Sequence, residues 1–175
     1  MKADVKDQLR RLGFKTADKI KAPIKTDLAP AKVKGKVTVG TVLTNFVKVF
    51  PRSIPDKVFQ HQEHSSLGSP WVTFKAEVRS SRPGVNYIVK MRYLRPTADG
   101  DITLNTPCEA WCTCPAFDFF VAYALYINKS FLGRPTRMNK IQAKVKNPKS
   151  IPTVCKHLYG FNMRMIDNRV ILRRV

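Results

Sequence analysis

Residues 112–114 read Cys-Thr-Cys and residues 155–157 read Cys-Lys-His. Nothing else in this chain limits its fold so tightly. Each step places two soft donors one residue apart, and together they supply three thiolates and an imidazole, the set that fills a closed tetrahedral Zn²⁺ site. The spacing therefore predicts Cys112, Cys114, Cys155 and His157 as metal ligands, with zinc as the ion and iron as the alternative. Side chains two apart on an extended strand share a face, and a tight knuckle also brings both sulfurs to one ion. A helix starting at the second pair would favour the Cys155 thiolate with its positive end. A centre with all four positions filled by protein has no place for an activated water, so the motif points away from an enzyme. Cys108, four residues before Cys112, is expected to be a packed thiol outside the site; the alternative is that it replaces one of the four. Two cysteines one residue apart do not readily bridge each other. The charged N-terminus, which lacks the apolar core of a secretory signal, predicts a reducing compartment, where such cysteines read as metal ligands.

Charge is the second constraint. The chain has 32 Lys and Arg against 12 Asp and Glu, a net charge of +20. Between Asp118 and Asp167 there are nine Lys or Arg and no acidic residue. Such a field attracts polyanions, and two partners stay open: nucleic acid, or an acidic neighbour in a large assembly. In the nucleic-acid reading Lys140, Lys144, Lys146 and Lys149 are the candidate phosphate contacts. The linear sequence contains no aromatic–basic alternation of the kind that marks a single-strand groove. No run of 18 apolar residues is present, and no segment joins a strong apolar face to a basic one, so neither a membrane span nor a lipid-surface helix is expected. The acidic residues are scattered, which argues against a two-metal nuclease. A Cys–His nucleophile would need a partner to orient the histidine, and none stands out. No small-molecule substrate is expected.

The fold class expected is α+β: a small antiparallel sheet or hairpin with two packed helices around the metal, plus a basic arm. Residues 1–40 read as an extended N-terminal arm, Lys-rich and broken by Pro23 and Pro30, with little that could enter a core. Residues 41–70 read as a helix and linker, with Val42, Phe46, Val49 and Phe50 on one face of a helix over Thr41–Phe50 and Pro51 ending it. The stretch Lys57–Pro70 is expected to be a short helix and then a loop. Its His61 and His64 form a weak metal pair for want of a third ligand. Residues 71–175 read as the zinc-stabilised domain. Trp71–Val78 and Val85–Leu94 alternate as strands around a Ser-Ser-Arg-Pro-Gly turn, predicting an antiparallel hairpin. Ile102–Thr106 or Glu109–Trp111 adds a third strand. Pro115 opens an apolar helix carrying Phe117, Phe120, Val121, Ala124 and Leu125. Lys129–Thr153 is expected to be a long loop. His157–Asp167 reads as a second helix, with Leu158, Phe161, Met165 and Ile166 inward, and Val170–Leu172 as a final strand.

The pattern Cys-x-Cys, a gap, then Cys-x-His resembles the SWIM-type zinc finger, in which a hairpin and a helix also accompany the two pairs. The fuller order Cys112-Thr113-Cys114-Pro115-Ala116-Phe117, Asn147-Pro148 and Cys155-Lys156-His157-Leu158 is similar to virion structural proteins of tailed bacteriophages. This resemblance covers roughly residues 85–166. It implies a non-enzymatic component of a phage particle, in tail, baseplate or neck, that docks on other virion proteins and is assembled in the host cytoplasm. The SWIM likeness implies the alternative, a nucleic-acid-binding zinc module.

Overall fold

The computed structural model describes residues 36–51, 58–65, 70–80, 82–97, 100–134 and 136–173. The expected arm, apart from residues 36–40, lies outside them. The architecture is α+β. Helix α1 spans Val39–Val49, with Thr38 accepting the Thr41 N–H through Oγ1 at 3.2 Å. Such a cap satisfies one of the donors that a helix start leaves unpaired. Val42, Leu43, Phe46 and Val47 form its buried face. The packed region begins earlier than the sequence suggests, since Val37 and Val39 are already buried.

Four strands build the main sheet: β1 (Val58–Ser65), β2 (Trp71–Arg79), β3 (Asn86–Leu94) and, after a short β4 (Ile102–Thr103), β5 (Cys108–Cys112). Their order is β1-β2-β3-β5, antiparallel throughout. The expected β2–β3 hairpin forms, with Trp71 opposite Leu94 and Val78 opposite Tyr87. Val72, Phe74, Ala76 and Val78 are buried and alternate with more exposed residues, as a sheet covered on one face requires. The third strand is β5; Ile102–Thr103 instead pairs in parallel with the terminal β6 (Ile171–Leu172).

Two expectations are corrected. Lys57–Pro70 holds a strand where a helix and loop were expected. From Gln60 to Ser65 every residue is polar, so no periodic apolar face exists, and pairing along the length of β2 sets the backbone. On β1, His61 pairs with Ala76 and His64 with Thr73. Positions three apart on a strand fall on opposite faces, so the backbone gives these two positions no common side of the sheet. The second correction is helix α3, Arg137–Lys146, inside the segment expected to be loop. It starts with a reciprocal cap: Thr136 Oγ1 accepts the Asn139 N–H, and Asn139 Oδ1 accepts the Thr136 N–H. Its inward stripe is Asn139 and Ala143, continued by Asn147 just beyond the helix, all buried. A polar stripe of this kind escapes any search for hydrophobic periodicity.

Those asparagines have specific partners. After Pro115 the main chain widens over Phe117–Val121 into a π turn, in which the Ala122 N–H bonds Phe117 O, before helix α2 (Ala122–Ile127). Asn139 Nδ2 donates to Asp118 O at 3.1 Å, and Asn147 Nδ2 donates to Phe120 O at 3.0 Å. Helix α3 thus satisfies main-chain oxygens of the π turn. The last helix, α4 (Lys156–Asp167), lies across the covered face of the sheet and buries Leu158, Tyr159, Phe161, Met165 and Ile166. Tyr93 of β3 donates its hydroxyl to Asn162 Oδ1 of α4 at 2.9 Å within the core. Tyr159 stacks on Phe46 of α1, ring centres 4.3 Å apart.

Candidate metal centre

The last residue of β5 is Cys112, and the chain turns there into the π turn. The intervening Thr113 fixes the knuckle to β3 by two hydrogen bonds: its N–H donates to Ile88 O at 3.1 Å, and its Oγ1 accepts the Ile88 N–H at 2.9 Å. Backbone donors also reach the sulfurs, the Cys114 N–H to Cys112 Sγ at 3.4 Å and the Phe117 N–H to Cys114 Sγ at 3.3 Å. Hydrogen bonds to a sulfur favour its thiolate form.

The second pair arrives through residues Pro152–Val154, which are buried and tied to α1 by Asn45 Nδ2 donating to Pro152 O at 2.7 Å. Cys155 is the N-cap of α4, with extended backbone, so its sulfur stands at the positive end of a twelve-residue helix. His157 lies in the first turn, and its ring packs against Tyr87, centres 4.6 Å apart.

The structure brings the four expected ligands together. One donor atom from each of Cys112, Cys114, Cys155 and His157 lies within 4.8 Å of the others. A tetrahedral zinc with bonds of about 2.3 Å to sulfur sets its sulfurs about 3.8 Å apart, so the cluster has the scale of one ion. Each of the four residues is at most 3% exposed. Such a cage, filled by three sulfurs and a nitrogen, suits a soft or borderline divalent cation held structurally. The Cys112–Cys114 contact pushes the Cys112 thiol well above the ordinary range and holds Cys114 well below it, while burial pushes Cys155 up. Three thiols packed this closely oppose one another's ionisation, and a divalent cation would take the place of their protons. Burial, followed by the charge of Cys114, raises the carboxyl of nearby Asp118.

Cys108 is buried on β5 opposite Tyr93 and is not one of the four clustered residues. Burial raises its thiol to about 12. Lys140, Lys144 and Lys146 fall on α3, and Lys149 lies just after it; Lys146 is exposed and Lys149 half-buried. The supporting roles of Thr113 and Tyr87 were not read from the sequence. Strand parity carried a signal for Tyr87. It lies two residues before Val89, which pairs with Cys112 across the sheet, so Tyr87 shares the covered face with that ligand. Among the described residues no helix is long and apolar enough to cross a membrane. No protein-family model matches the chain, and comparison with curated proteins and with solved structures finds no match.

Proposed function

We propose that this protein is a non-catalytic structural subunit whose domain is pinned by zinc, and that it serves in the particle of a tailed bacteriophage. The observation that carries the first half is the burial of four ligand atoms contributed from both ends of a forty-residue excursion. A bound ion would have every position filled by protein and no approach for a substrate, which fits architecture better than chemistry. Support for the second half comes from the ordered motifs Cys112-Thr113-Cys114-Pro115-Ala116-Phe117, Asn147-Pro148 and Cys155-Lys156-His157-Leu158. In this reading the basic arm and surfaces dock on neighbouring virion subunits. Elemental analysis of protein purified without chelator tests the metal: about one zinc per chain is expected, lost in Cys155→Ser. Mass spectrometry of purified particles tests the location. Zinc-free folded protein would end the first half, and absence from the particle would end the second.

A further inference from the structure

The chain has two tryptophans, and both stand on the side of the sheet turned away from the helices. Trp71 and Trp111 alternate with the buried residues of β2 and β5. Each ring carries a cation. The Arg92 guanidinium lies 4.4 Å from the centre of the Trp71 ring, and Lys90 Nζ lies 5.0 Å from that of Trp111. Arg92 is held flat by a second contact, a salt bridge to Glu109, yet its side chain keeps 38% of its exposure.

The register makes the charge pattern plain. One row across this face runs Gln62, Lys75, Lys90, Trp111. Two lysines directly opposite each other repel, at a cost to the sheet. That row has no acidic residue to relieve them. Of the acids on the same face, Glu109 is engaged by Arg92, and Glu77 accepts from Asn86 Nδ2 at 2.6 Å. The face therefore presents two aromatic–cation stacks, and Lys90 of the second stands directly opposite Lys75.

We propose that this face binds single-stranded nucleic acid, with bases stacked on Trp111 and on the Arg92–Trp71 pair, and phosphates held by Lys75 and Lys90. Indole faces and guanidinium planes are the groups on which unpaired bases stack, and lysines track the backbone. Trp71 and Trp111 are separated by two strands laterally and four residues along β3. That places them about 16 Å apart, so a strand crossing diagonally sets different bases on the two stacks. A duplex fits poorly, because its major groove admits a helix or a two-stranded ribbon, and this face is four strands wide. The net charge of +20 supplies the long-range attraction. This inference stands whether or not the protein belongs to a virion.

The full-length, zinc-loaded protein is titrated with oligothymidylate and with oligouridylate while tryptophan fluorescence is followed, since every indole in the chain lies on the proposed surface. Saturable quenching at low salt is expected, with much weaker binding of duplex DNA. Trp111→Ala should weaken binding on the order of ten- to a hundredfold. Lys75→Ala should lower the slope of log affinity against log salt by about 0.7. Lys75 lies outside the core and Trp111 is half-buried against its edge, so unchanged zinc content and circular dichroism verify the fold of each variant. Replacing Lys140, Lys144, Lys146 and Lys149 together should leave the quenching in place. The proposal is overturned by an absence of binding at low salt, by equal affinity for duplex, by unaltered affinity in Trp111→Ala, or by loss of binding in the quadruple lysine variant alone. Binding only to an acidic protein would overturn it as well.

Discussion

Asn147 is 5% exposed, and its side chain is fully engaged. Nδ2 donates to Phe120 O and to Ile151 O, both at 3.0 Å, and Oδ1 accepts the Ile151 N–H at 3.0 Å. Asn147→Ala removes all three. At about 0.5–1.5 kcal/mol net for each neutral hydrogen bond, the loss is about 1.5–4.5 kcal/mol. The abandoned partners raise it within that range, because the Ile151 N–H and the π-turn carbonyl of Phe120 lose a bond where water has little access. We expect about 3 kcal/mol. Asn147→Asp is the sharper variant. It keeps the acceptor for Ile151 but turns a carboxylate oxygen towards two carbonyls, so it should be at least as destabilising as alanine at neutral pH. Acidification that protonates the carboxyl restores one donor and should recover part of the loss. Urea denaturation in the presence of zinc measures both variants, provided the denaturant dependence stays constant. An alanine cost below about 0.5 kcal/mol, or an aspartate variant as stable as the parent at neutral pH, would refute the account of how α3 is held.

Three further outcomes are expected. Stripping the metal, or Cys155→Ser, should abolish the cooperative thermal transition seen by circular dichroism, because a structural zinc contributes about 10–16 kcal/mol against a typical domain stability of about 5–15; zinc re-addition should restore it in the parent only, and an unaltered transition would count against a structural ion. Tyr159 Oη is buried with no hydrogen-bond partner among the described residues, so Tyr159→Phe, which keeps the ring stack on Phe46, should be neutral or stabilise by about 1 kcal/mol in urea titrations. Burial raises the Cys108 thiol from 9.0 and the Tyr159 hydroxyl from 10.0, each to about 12. Folding thus favours their protonated forms; that contribution is complete below the ordinary values and is lost as pH climbs through about 12, so the urea midpoint should fall from about pH 9 upward.

What the sequence made legible was whatever a periodicity or a ligand rule could carry. The four ligand positions follow from donor chemistry, because few arrangements other than a metal site ask for two such pairs. The β2–β3 hairpin follows from alternation, with Val72, Phe74, Ala76 and Val78 inward, and α4 follows from its apolar stripe. The segments that were misread share a physical reason. β1 is organised by backbone pairing to β2, which leaves no trace in side-chain pattern when nearly every residue is polar. Helix α3 faces inward with Asn139 and Ala143, and asparagine in a helix ordinarily signals a turn or cap. Its partners are main-chain oxygens exposed by the π turn, and no local rule foretells that turn. The tryptophan face was hidden for a third reason. Its aromatic and basic residues come from three strands and meet only through register, so no linear alternation announces them.

The polypeptide leaves the main sheet after Cys112 and enters α4 at Cys155, and the two ends of that excursion meet at the four-residue cluster, while Ser130 and Leu132 hydrogen-bond to Ala110 of β5 on the way. Its inner side is seated in the core by Phe117, Val121, Ala122 and Leu125. Residues on its outward side, such as Tyr126, Ile127, Ile141 and Val145, stand exposed and can be exchanged or extended while those anchorages stay in place. The entropic penalty for a longer excursion rises only with the logarithm of its length. Variation in size should therefore collect between the two ligand pairs, and the chassis of strands and α4 should tolerate it.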